Sequence, residues 1–298
     1  MKETPMDSCQ RIFAALERRM PDRVPVMEMI IDPTVVAALG FRSYDELYRE
    51  LDLDVVILNA LLDYPEGAEL RIPTGRTVVN AWGVTFRYTH EVVAIPIDHP
   101  LKNAEDLQRY ELPDPMLPRE YLERVDRVVQ RYKGKRAILA SCRAVFGDSW
   151  NLRGLENFMA DMLLDPDLVR RIGRMVVAYN KERCRQLIRA GVDIILLGDD
   201  YAHKTGPLMS PAAFCEFILP GLTEVVQTVK SEGAYCIKHT DGNIWSIIEP
   251  IVDTGIDGIG PLEPAAGMDL YEVKRRFGDR VCVVGNVDVD LLSRGTVA

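Results

Sequence analysis

The stretch VDIILLGDDYAHKTGPLMSPAAFCEFILPGLTEVVQTVKSEGAYCIKHTDGN (192–243) reads as strand, helix, strand. VDIILLG (192–198) and AYCIKH (234–239) are apolar almost continuously rather than alternately, the pattern of parallel strands buried on both faces. Between them an amphipathic helix opens at Ser210-Pro211 and stops at Gly233. A right-handed crossover of this kind places its two strands in one parallel sheet.

The unit recurs outward in both directions. VPVMEMI (24–30), DVVILN (54–59), RAILASC (136–142), IDGIGPL (256–262) and RVCVVGN (280–286) are further buried-strand runs. Helices are expected over 7–20, capped by Asp7 or Ser8 and ended by Pro21, from Asp165-Pro166 to Gly191, and over 268–277, ending at Gly278. Residues 68–98 break the rhythm: AELRIP, TVVNAW, GVTFRYT and VVAIPI alternate apolar and polar residues, which predicts a small antiparallel insertion after the second strand. The fold class is therefore α/β, a (β/α)8 TIM barrel in one domain spanning 1–298. Seven barrel strands can be counted where closure needs eight, so the final strand is expected to be lacking from this chain.

The 298 residues are 47% hydrophobic and 27% charged, ordinary globular composition. A net charge of −9 argues against nucleic acid, whose phosphates need a basic face. The charged N-terminal stretch is not a secretory signal, and no run of about 20 apolar residues predicts a membrane span. Six scattered cysteines without a C-x-x-C pair suit a reducing, cytoplasmic setting.

In such a barrel the chemistry gathers where strands end. Those ends carry Glu28 and Asp32, Asn59, Arg143, Asp199 and Asp200, His239 and Asp241, Glu263, then Asn286 and Asp288. The sharpest segment is KHTDGN (238–243), where His239 and Asp241, two apart, can face the same side and ligate zinc. A histidine hydrogen-bonded to Asp241 at a tight Asp-Gly turn is the plainer reading. Asp199 and Asp200 can supply an acid or hold a cation, or cap a helix; as strand neighbours, only one is expected to face the site. PLEP (261–264) holds Glu263 in a rigid segment, and Arg143 either binds an anionic substrate group or pairs with Asp148. His203 is a weaker candidate, and His90 and His99 read as structural. No G-x-G-x-x-G after a strand, G-x-x-x-x-G-K-[ST], G-x-S-x-G or H-E-x-x-H is present, which removes support from nucleotide-driven phosphoryl transfer and serine hydrolysis.

PDRVPV (21–26), WGVTFRY (82–88), GDDYAHKTGPLMSPAAFCEFILP (198–220), KHTDGNIWSIIEPIVDTGIDGIGPLEPAAGMDLYEVKRRFGDR (238–280) and GNVD (285–288) together resemble the uroporphyrinogen decarboxylase superfamily. The resemblance spans nearly the whole chain and implies a (β/α)8 barrel. One branch of the superfamily decarboxylates porphyrinogen acetate groups without a cofactor; the other contains zinc-dependent methyltransferases that work with corrinoid proteins. The decarboxylases' R-Q-A-G-R and F-S-D-I-like segments are replaced here by VPVMEMIIDP (24–33) and LDLDVVILNALLDY (51–64). The methyltransferases' His-x-Cys is matched by His239, with Asp241 where they carry cysteine, giving a harder, more Lewis-acidic site.

The resemblance thus implies a corrinoid-dependent methyltransferase. Asp199, Asp200, His239, Asp241 and Glu263 would be its catalytic groups, with zinc on His239, Asp241 and Glu263. Glu28, Asn59, Arg143, Tyr201, Asn286 and Asp288 would contact substrate. Its expected partners are a small methyl donor, a methyl ether, methanol or methylamine, and a separate corrinoid protein, with a homodimer as the candidate assembly. A porphyrinogen decarboxylase and a non-catalytic corrinoid-binding barrel are the alternatives.

Overall fold

Six of the expected runs form one parallel sheet in the computed structural model, which describes residues 5–296. Among the described residues the strands, in chain order, are β1 (Val55–Ile57), β2 (Thr77–Val79), β3 (Thr85–Arg87), β4 (Ile95–Asp98), β5 (Ala137–Cys142), β6 (Ile194–Gly198), β7 (Ala202–His203), β8 (Gly206–Pro207), β9 (Tyr235–Thr240), β10 (Gly258–Pro261) and β11 (Cys282–Val283). The curled parallel sheet runs β1-β5-β6-β9-β10-β11, so strands adjacent in space are successive barrel strands in sequence. Ile194, Ile195, Leu196 and Leu197 of β6 are all buried, as a strand covered on both faces requires. The fold is a barrel-like α/β architecture.

The 68–98 excursion contains the antiparallel sheet β2-β3-β4, as the alternating pattern predicted. A further two-residue hairpin, β7-β8, rises from the loop after β6.

Cap chemistry sets the helices between the strands. The Asp165 side chain accepts from Leu168 N–H at 3.1 Å, Pro166 takes the first helical position, and the helix runs Pro166–Arg189. The Ser210 hydroxyl accepts from Ala213 N–H at 3.1 Å and opens a continuous helical run, Pro211–Ser231, with a π-helical turn at Phe214–Ile218. Asp7, not Ser8, caps the first helix in a reciprocal capping box with Gln10.

Four expectations are corrected. VPVMEMI (24–30) is not a strand: it lies beside β1, with Val26 O accepting Asp54 N–H at 2.9 Å and Val26 N–H donating to Asp54 Oδ2 at 2.8 Å, but pairs no further, and Val24 is 82% exposed. Its bonding to this sheet is confined to Val26 and Asp54, so no ladder develops along it. The first helix stops at Leu16, before Pro21, because Arg18 turns left-handed at φ 60°. RVCVVGN (280–286) contributes only Cys282 and Val283 to the sheet.

Lastly, Pro211–Ser231 is by length and composition apolar enough to cross a membrane, contrary to the reading of the sequence. Here it packs on Pro166–Arg189, with ion pairs Arg170–Glu216 (2.5 Å) and Lys181–Glu224 (2.9 Å). A Cβ on Gly221 would lie 2.8 Å from Val177 Cγ2, so the two helices approach as closely as glycine permits.

Candidate functional site

β6 and β9 are register neighbours, with Gly198 opposite His239, so the residues that follow Gly198 and His239 emerge at the same end of the sheet. There Asp200, His239 and Asp241 converge. His239 Nε2 lies 3.6 Å from Asp200 Oδ1 and 3.7 Å from Asp241 Oδ2. The histidine is mostly covered, while the two carboxylates are about half exposed. Hydrogen bonding to His239 holds the Asp241 carboxyl below its ordinary value. Among the described residues this is the one group of three or more His, Cys, Asp or Glu side chains whose ligand atoms all lie within 4.8 Å of one another.

The surrounding backbone keeps these three in place. Asp200 Oδ1 accepts from Asp241 N–H at 3.1 Å, tying the two strand ends together. The turn after Asp241 depends on Gly242, which has φ +82° and sits so close to β7 that a Cβ would meet Ala202 C at 2.6 Å. Glu263 Oε2 accepts from Gly242 N–H at 3.0 Å and braces the same turn.

Of the residues singled out in the sequence, Asp200, His239 and Asp241 are thus brought together. Glu263, expected beside His239 and Asp241, stands outside this trio and braces the turn after Asp241, and Asp200 completes the trio instead. Asp199 faces away, fully buried, and its Oδ2 accepts from the N–H groups of Ala144, Val145 and Phe146 at 3.2, 2.8 and 3.0 Å. It therefore stitches β6 to the start of the helix Phe146–Arg153, whose free amides favour a negative charge. Arg143 stands between Asp148 (3.6 Å) and Asp199 (3.9 Å), donates to Gly198 O at 3.3 Å, and keeps 39% of its side chain exposed.

The remaining candidates lie outside this trio. Asn59 Oδ1 accepts from Ser141 N–H at 2.8 Å, linking β5 to the turn after β1. Tyr201 is buried, its hydroxyl without a hydrogen-bond partner, and does not reach the mouth. Asn286 donates to Leu262 O (3.0 Å) and Met268 O (3.3 Å), and Asp288 caps the helix Val289–Arg294. Glu28 lies on the irregular 24–30 segment, where desolvation raises its carboxyl pKa, and Asp32 caps Pro33–Ala38. His99 Nδ1 lies 2.7 Å from Asn151 O, and His203 is bonded locally to Thr205.

Sequence reading missed Lys238. It belongs to β9, is fully buried, and donates to Leu197 O (3.2 Å), Asp199 O (2.5 Å) and His239 O, with its ammonium 4.1 Å from the centre of the Tyr201 ring. Desolvation lowers its pKa to about 8. The signal was present: a lysine inside the apolar run AYCIKH has no route to solvent if the strand is covered on both faces.

The comparisons with known proteins agree with this architecture. Uroporphyrinogen decarboxylases of Alkalilimnicola ehrlichii and Coxiella burnetii are each 26% identical, over 93% and 95% of this chain and 78% and 80% of their own lengths. The solved structure of a methyltransferase from Methanosarcina mazei superposes with a TM-score of 0.73 at 20% identity, covering 95% of this chain and 83% of that one, a likeness of fold. The family model described as uroporphyrinogen decarboxylase (URO-D) matches residues 7–298, and the chain belongs to that family.

Proposed function

We propose that this protein is a metal-assisted methyltransferase of a corrinoid-dependent system, taking a methyl group from a small methyl ether, methanol or methylamine. The observation that carries the reading is the Asp200, His239 and Asp241 trio at the strand-end mouth. Donors of a tetrahedral zinc site, about 2.0–2.1 Å from the ion, stand roughly 3.3 Å apart. The separations of 3.6 and 3.7 Å about His239 Nε2 need only small side-chain movements to meet this, so the residues fit the group. Two carboxylates and an imidazole form a harder donor set than one containing thiolates. A bound zinc would supply Lewis acidity, stabilising negative charge on the departing oxygen or nitrogen of the donor.

The chain's own contribution is positioning. The Asp200–Asp241 backbone bond and the Glu263 brace fix the ligand atoms before substrate arrives, which removes reorganisation from the reaction. A donor held at this open mouth would be within reach of a separate corrinoid protein docked over it. A corrinoid carried by that partner would supply the electron pair that accepts the methyl group, and the pair of the broken C–O or C–N bond would stay on the leaving group. The fold likeness to a methyltransferase supports the reading, and Asp241 in the place of a thiolate favours oxygen donors over thiol activation.

A second reading, carboxy-lyase activity on a porphyrinogen or another polycarboxylate, is favoured by the names of the relatives and by the exposed edge of Arg143, which suits a carboxylate. Metal analysis of purified protein separates the two. About one zinc per chain, lost in His239→Ala, supports methyl transfer and justifies assays with reduced corrinoid protein and a donor panel. Zinc-free protein that refuses added zinc and converts uroporphyrinogen to coproporphyrinogen overturns it.

A further inference from the structure

We propose that Lys238 is the positioning residue of the Asp200, His239 and Asp241 centre: its ammonium gathers three strand-end carbonyls and so sets the spacing of the metal donors. The inference rests on the metal reading above and adds a residue to it.

Lys238 Nζ bonds Leu197 O and Asp199 O on the β6 side and His239 O on its own strand. Asp199 O belongs to the peptide unit that leads into Asp200, and His239 O to the one that joins His239 to Thr240, one residue before Asp241. One cation thus clamps the backbone immediately before Asp200 and at His239 itself, one peptide unit short of Asp241. All three ammonium hydrogens are committed to carbonyls, and the Tyr201 ring covers the group at 4.1 Å.

The arrangement is costly enough to require a purpose. Lys238 is wholly buried, and desolvation opposes its charge. An apolar side chain of similar length would fill the same strand position at lower cost. What an apolar residue cannot do is draw the carbonyls of two neighbouring strands to a single point. Outer groups that orient metal ligands commonly change metal affinity 10–100-fold when removed.

Electrostatics gives the test a decisive sign. A fixed ammonium repels a divalent cation, so its removal by charge alone strengthens metal binding. Weaker binding without Lys238 can arise only from lost positioning.

The experiment is titration of purified, metal-free protein with Co2+, read by visible d–d absorption and by affinity, for wild type, Lys238→Met and His239→Ala, with thermal unfolding recorded for each. The expected result is Co2+ binding 10–100-fold weaker in Lys238→Met, with shifted or weakened d–d bands, and no binding in His239→Ala. Unchanged bands with equal or tighter binding in Lys238→Met overturn the inference while leaving the metal reading standing. No Co2+ binding by the wild type overturns both. If Lys238→Met does not fold, Lys238→Gln, which keeps a shorter neutral donor, is judged by the same bands and affinities.

Discussion

Asp199 and Asp200 show how one peptide bond separates a carboxylate buried among amides from one at the strand-end mouth. Asp199 satisfies three buried amides at the entrance to Phe146–Arg153, whereas Asp200 reaches the mouth beside His239. Asp199→Ala is expected to lower stability by about 3 kcal/mol, since each orphaned buried donor costs about 1–3 kcal/mol and the amides relax in part. Asp200→Asn is expected to leave the unfolding temperature within a degree or two while weakening divalent-metal binding at least tenfold. Thermal unfolding and metal titration of the two variants check the contrast; equal loss of stability in both would contradict it. Alternation along a strand announced that only one of the pair could face the site, but not which. That depended on the amides of 144–146, which are distant in sequence and become donors only once the helix starts there.

At the scale of elements, the first helix is fastened to the sheet by charge. Arg11, nearly buried, pairs with Asp54 and with Asp22 (2.7 Å), and Asp54 itself is inaccessible. Asp54→Ala leaves Arg11 its Asp22 pair but orphans the Val26 N–H and one nitrogen of the guanidinium, so it is expected to cost about 1–3 kcal/mol, measurable as a fall in the midpoint of urea unfolding. Asp22 gives the same tie a pH dependence. Its carboxyl is pulled from an ordinary 3.8 to about 2, chiefly by the Arg11 hydrogen bond. A carboxyl with a depressed folded pKa contributes stability that is complete above about pH 4 and disappears as the pH falls through 2. Unfolding temperature followed from pH 5 to pH 2 should therefore fall less steeply in Asp22→Asn than in wild type.

The elements themselves were largely legible because their signals are local. Asp165-Pro166 and Ser210-Pro211 open helices by their own chemistry, and continuous apolar runs mark strands covered on both faces. The 24–30 segment misled for the complementary reason: its composition is that of a strand, but its bonding to the neighbouring chain stops at Val26 and Asp54, and no local pattern encodes how far a ladder extends. Lys238 was overlooked because its three acceptors lie on β6 and β9 together and exist only after the two strands pair.

For the molecule as a whole, the parallel sheet is open among the described residues, with β1 and β11 as its outer strands. Val24, Val287, Val289, Leu291 and Leu292 are all more than 60% exposed. Unpaired backbone edges accompanied by exposed apolar side chains favour association with other chains. The 298-residue polypeptide is expected to self-associate with rising concentration in sedimentation velocity, and Leu291→Glu with Leu292→Lys to reduce that association. A concentration-independent monomer would show that the edges are protected by other means. The net charge of −9 opposes association in general, so the effect should strengthen as salt screens it.

Strands β6 and β9, which lead to Asp200, His239 and Asp241, occupy the centre of the order β1-β5-β6-β9-β10-β11, each hydrogen-bonded on both sides. Opening of a sheet begins at its margins, and amides paired on both flanks exchange with solvent only through the larger fluctuations. The backbone that carries Asp200, His239 and Asp241 is accordingly rooted in what should be the slowest-exchanging part of the protein. Fraying at either margin can proceed, and even be tolerated during engineering, without the donor atoms losing their mutual register.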